Sequence, residues 1–189
     1  MDAFLTSILA VIFAEMGDRT QILCAVLAIR FRNNAPIFWG LGCATLVNCA
    51  ISAIAGSAIN GWISEEPVRL FYGLALFLAG LGMVGWRRKV DLLENWNFSP
   101  YWVAFLGIFI LQFGDKSQFI IAATAARTDA WAFAMVGGWI GTMIACIPAI
   151  ILQEKLAELL PIDMIRRVAG VIFLLMGLAL AFSAWGLFG

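Results

Sequence analysis

Long apolar runs with little chain between them leave this sequence one class of structure. Breaks marked by Gly, Pro, Asn and charge clusters give six spans, at residues 3–29, 36–60, 67–86, 100–126, 131–153 and 165–187. About 20 apolar residues cross a bilayer, whereas runs of about 10–14 suit a soluble core helix. Inside lipid the backbone polar groups must bond within the segment, which makes each span a helix. Hydrophobic residues form 63% of the chain and charged ones 13%, about half the charged share of a soluble domain. An all-α integral membrane protein follows. The formal net charge is zero, so nothing points to nucleic acid. Phe4–Ala14 has the length of a secretion-signal core. Asp2 precedes it, no basic residue does, and no small-residue cleavage site comes before the next charges, so it reads as the first half of a retained helix. Cys24, Cys43, Cys49 and Cys146 lie in apolar spans without CxxC spacing and read as packing residues.

The longest polar stretch, 87–100, divides the chain near its middle. Sliding the sequence by 97 residues aligns the two sides without a gap. Gly17-Asp18 falls on Gly114-Asp115, Gln21 on Gln118, and Arg30 on Arg127. Gly40 meets Gly137, Thr45 meets Thr142, Cys49 meets Cys146 and Arg69 meets Arg166, while Gly73 and Gly80 meet Gly170 and Gly177. A register held across three spans is internal duplication. Each copy, 1–90 and 100–189, carries three spans, and the loop 91–99 joins them. An odd number of crossings sends the second copy into the membrane from the other side, giving two inverted three-helix repeats. Arg30, Arg32, Arg87, Arg88, Lys89, Lys155, Arg166 and Arg167 flank the loops after spans one, three and five, against Arg69 and Arg127 on the other side. The positive-inside rule then puts both termini outside the cytoplasm. Trp62, Trp86, Trp102, Trp131 and Trp185 near span ends read as interface anchors.

Five charges lie where charge is costly. Glu15, Asp18 and Arg19 fall in the middle of span one, Asp115 and Lys116 in the middle of span four. Each costs about 2.5–3.5 kcal/mol at a bilayer centre on insertion scales. They must therefore be paired and face the bundle interior or water. On a regular helix Glu15, Asp18 and Arg19 share a face. Gly17 and Gly114 would let the two helices approach closely, or let the backbone unwind. In the inverted arrangement the two motifs meet near the midplane. Glu15, Asp18 and Asp115 then supply carboxylates, Gln21 and Gln118 amides, and Thr20 and Ser117 hydroxyls. Hard divalent cations take such oxygen ligands. The bland alternative is that Asp18–Lys116 and Asp115–Arg19 are cross-repeat ion pairs that hold the bundle together. Asn48, Thr45 and Thr142 read as hydrogen-bonders between helices.

With these motifs in view, the sequence resembles the transmembrane protein 165 family of cation/proton antiporters, related to the lysine-exporter superfamily and including bacterial manganese exporters. Its members carry two copies of Glu-x-Gly-Asp-(Lys/Arg)-(Thr/Ser) in a duplicated six-helix chain. Glu15-Met-Gly-Asp-Arg-Thr20 matches at every position, and Gln112-Phe-Gly-Asp-Lys-Ser117 departs at its first. The resemblance implies that Glu15, Asp18 and Asp115 bind Mn²⁺ or Ca²⁺ in exchange for protons, with Thr20 and Ser117 helping. Gln112 keeps an oxygen that can coordinate but supplies neither charge nor a proton site. Arg19 and Lys116 are expected to act as ion-pairing or gating residues.

The expectation is a multi-pass cytoplasmic-membrane transporter, without enzymatic activity or cofactor, that exports a divalent cation, Mn²⁺ foremost, against protons. A Ca²⁺/H⁺ exchanger, an amino-acid exporter using Arg19 or Lys116, or a non-transporting membrane subunit are the alternatives, and two chains could pair as a homodimer.

Overall fold

The computed structural model describes residues 2–60, 62–85, 90–93, 95–128 and 130–184, apart from the Ala157 side chain. Arg87, Arg88 and Lys89 of the charge-bias argument, and the proposed anchors Trp86 and Trp185, lie outside the described residues. Every regular element described is a helix. In order they are α1 (Asp2–Glu15), α2 (Arg19–Phe31), α3 (Asn34–Asn60), α4 (Glu65–Gly85), α5 (Pro100–Gln112), α6 (Lys116–Arg127), α7 (Trp131–Leu152), α8 (Lys155–Leu159) and α9 (Ile162–Ala184).

Four of these, α3, α4, α7 and α9, are long and apolar enough to cross a membrane, and α5 with α6 make a fifth crossing if the bent pair counts as one. The expectation of continuous helices over 3–29 and 100–126 is thereby corrected. Each is two helices joined at the glycine of its motif. Gly17 has φ +70° and Gly114 φ +72°, a conformation open to glycine without the Cβ penalty. The chain bends by 66° between α5 and α6. Glu15 therefore ends one helix while Asp18 precedes the next, and the shared-face reading of Glu15, Asp18 and Arg19 does not hold.

Packing follows the small residues. A Cβ on Gly40 would strike Ala104 and the Tyr101 carbonyl of α5, and one on Gly137 would strike the Phe4 carbonyl and Ser7 of α1. Repeat-related glycines thus seat repeat-related helices. On α4 and α9, Gly73 faces Gly177 and Gly80 faces Gly170, so these two helices run antiparallel with backbones touching. Around them α1 packs on α7, and α3 packs on α5, α6 and α7. Thr45 and Thr142 were expected to bond between helices. Their hydroxyls instead donate within their own helices, to Leu41 O (2.7 Å) and Gly138 O (3.1 Å), the back-bonding open to any helical threonine. Arg166, placed by sequence among loop charges, is a buried residue of α9.

Candidate functional site at the two helix breaks

Both breaks are built alike. The amide oxygen of Gln21 accepts from Gly17 N (2.9 Å), and that of Gln118 accepts from Gly114 N (2.8 Å). Each glutamine thereby braces the turn that precedes its own helix. Asp18 and Asp115 occupy the N-cap positions of α2 and α6 with extended backbone, and among the described residues neither makes a side-chain cap bond. Their carboxylates lie over positive helix ends and remain available to partners from the other half.

Those partners are basic. Lys116 Nζ sits 2.6 Å from Asp18 Oδ2 and 3.3 Å from Asp115 Oδ2, and Arg19 Nη2 lies 3.3 Å from Asp115 Oδ1. The two cross-repeat ion pairs anticipated from sequence both form. Pairing offsets the cost of placing these charges in an apolar bundle. Glu15 is fully buried; Ser117 donates a short hydrogen bond to its Oε1, and Oε2 has no hydrogen-bond partner among the described residues. Ser117 Oγ also lies 3.4 Å from Asp115 Oδ2, so one hydroxyl links the acids of the two motifs. Thr20 is buried on α2. Among the described residues no three Asp, Glu, His or Cys side chains gather closely enough to hold a metal by themselves; the Lys116 ammonium stands between the two aspartates.

A cavity of about 300 Å³ reaches this cluster. Gly17, Asp18, Arg19, Gly114, Asp115 and Lys116 line it, with Ile22, Leu78, Gly82 and Arg166 completing the wall. Arg166 also donates to Gly82 O at 2.9 Å. Nothing in its sequence context marked it as a wall residue, because its place depends on α9 lying along α4. The two copies differ around their leading residues. In the first, Gln21 Nε2 donates to the Ala145 carbonyl (2.6 Å). In the second, Gln118 Nε2 donates to Asn48 Oδ1 (2.9 Å), while Asn48 Nδ2 donates to Phe109 O (3.2 Å) and Gln112 Oε1 (3.4 Å).

Apolar membrane-length helices around two interrupted helices, whose charged bends share one cavity, define a membrane transport protein for small ions. The chain belongs to the divalent cation/proton antiporter GDT1 family, whose model matches residues 3–89 and 100–187. Among its relatives, the Vibrio cholerae protein called "Putative manganese exporter" is 32% identical over 187 residues, covering 96% of this chain and 92% of its own. The Saccharomyces cerevisiae divalent cation/proton antiporter GDT1 is 22% identical over 240 residues, covering 98% and 85%. The GDT1-like protein 4 of Oryza sativa subsp. indica is 24% identical over 203 residues, covering 92% and 70%. No solved structure matches the chain.

Proposed function

We propose that the protein exports a divalent cation, Mn²⁺ foremost, across the cytoplasmic membrane in exchange for protons, without covalent chemistry. The observation that carries this reading is the meeting of Asp18 and Asp115, one from each half, at bends that share a cavity. Carboxylates with hydroxyl helpers suit a hard divalent ion. Glu15, Asp18 and Asp115 would hold it with Thr20 and Ser117, while Gln21 and Gln118 keep the bends in place. The cation enters by displacing Lys116 Nζ, which returns to the aspartates when the cation leaves. Arg19 keeps Asp115 partly neutralised throughout. The names of the Vibrio cholerae and yeast relatives support Mn²⁺ and proton exchange respectively.

Two inverted three-helix repeats, with both termini outside the cytoplasm, fit this function. The antiparallel packing of α4 on α9 through repeat-related glycines supports the inversion. Alternating access would then be rocking of one unit against the other around the bends.

Purified protein in proteoliposomes with an internal Mn²⁺ reporter and an imposed pH gradient tests this. Gradient-driven Mn²⁺ movement is expected, with Asp18→Asn and Asp115→Asn each reducing it at least tenfold. Competition by Ca²⁺ ranks the two cations. Flux of neither ion, or flux indifferent to the gradient, overturns the reading.

A further inference from the structure

The 97-residue register pairs Glu15 with Gln112, and it pairs Ala145 with Asn48. Both departures fall in one hydrogen-bonded cluster. Asn48 is buried on α3, and Gln112, also buried, ends α5. The Asn48 amide donates to Gln112 Oε1 and to the Phe109 carbonyl, and its oxygen accepts from Gln118, whose own oxygen holds Gly114 N. In the first copy a backbone carbonyl, that of Ala145, takes the glutamine's N–H. No side chain from position 145 competes for Glu15, whose partner is Ser117 of the other half. The amide at 48 thus engages the residue at 112, where an alanine at 145 leaves residue 15 to the cluster.

We infer that Asn48 is a positioning residue that holds Gln112 out of the cation cluster, so that the second copy contributes Asp115 but no ligand from its leading motif position, and binding rests on Glu15, Asp18 and Asp115. This rests on the antiport reading above and specifies how its site is divided. Substituting glutamate at 112 alone does not add a fourth acidic ligand, because a carboxylate there still accepts the Asn48 amide hydrogens. Removing Asn48 as well releases it.

The test measures Mn²⁺ affinity for wild type, Gln112→Glu, Asn48→Ala and the double variant, by flux in proteoliposomes and by Mn²⁺ binding to detergent-purified protein using electron paramagnetic resonance. Gln112→Glu alone is expected to change the half-saturating Mn²⁺ concentration by less than twofold. In the Asn48→Ala background the same change is expected to lower it at least fivefold. A merely structural Asn48 would reduce stability in both backgrounds and leave the effect of Gln112→Glu equal in the two. Equal effects therefore overturn the inference, as does a full gain from Gln112→Glu alone. Asn48→Ser carries the same comparison if the alanine background does not yield monodisperse protein, since its hydroxyl can accept from Gln118 yet is shorter than the amide that holds residue 112. Wild type that binds Mn²⁺ without moving it refutes the transport reading, while the binding series still decides the role of Asn48. Wild type that does neither overturns both.

Discussion

Lys116 faces two carboxylates from opposite halves of the chain, and Arg19 faces one of them. Breaking a buried pair by removing one partner costs about 3–5 kcal/mol, because the other charge remains. Lys116→Met is accordingly expected to destabilise the protein by about that amount in thermal unfolding in detergent, with Lys116→Arg recovering most of it. Ser117→Ala removes the hydrogen bond to Glu15 and leaves a buried carboxyl oxygen without its donor, a loss of about 1–3 kcal/mol. It is expected to weaken Mn²⁺ binding more than the maximal rate, read as separate constants in liposome flux. The ion pairs were legible in the sequence because opposite charges in apolar spans have few other choices. The Asn48 contacts were not. A neutral amide has partners anywhere on the facing helices, and Gln118 lies 70 residues away.

The breaks between α1 and α2 and between α5 and α6 are the elements that place the site. Hydropathy registers composition, and a run of apolar residues reads the same whether its backbone is continuous or turned once at a glycine. Gly17 and Gly114 suggested unwinding or close approach with equal force; the positive φ at both decides for unwinding. The two are not equivalent, however. A Cβ at Gly17 would lie 2.8 Å from Ile162 and 3.2 Å from Arg166, whereas one at Gly114 meets nothing within 4 Å among the described residues. Gly114→Ala should therefore cost the left-handed penalty alone, about 1–2 kcal/mol. Gly17→Ala adds overpacking of about 1–3 kcal/mol. Unfolding temperatures of the two variants check the order, and the reverse order would mean that α9 does not press on the first bend.

For the whole molecule, the membrane class was legible from hydropathy, while the 97-residue register is a property of the sequence alone. The depth at which each helix sits is set by lipid, and it is testable by labelling. In a background with the native cysteines replaced, Asn33→Cys and Lys155→Cys are expected to react with an impermeant thiol reagent from the cytoplasmic side, and Ser64→Cys from the opposite side. Sealed vesicles of both orientations give the answer, and labelling of all three from one side would rule out the inverted arrangement.

Where Gly73 meets Gly177 and Gly80 meets Gly170, the two backbones touch, and neighbouring side chains such as Leu174, Met83 and Val84 fill the space that the glycines leave. Most helix contacts are geared, each ridge seated in a groove, so that sliding one past another must lift teeth over teeth. Each glycine leaves one tooth out of that gearing and makes the seam a shallower bearing at that point, over which one half would have less to climb in turning on the other. A leucine at Gly73 or Gly80 would be a tooth on that bearing, and it would jam the movement as well as prise the helices apart.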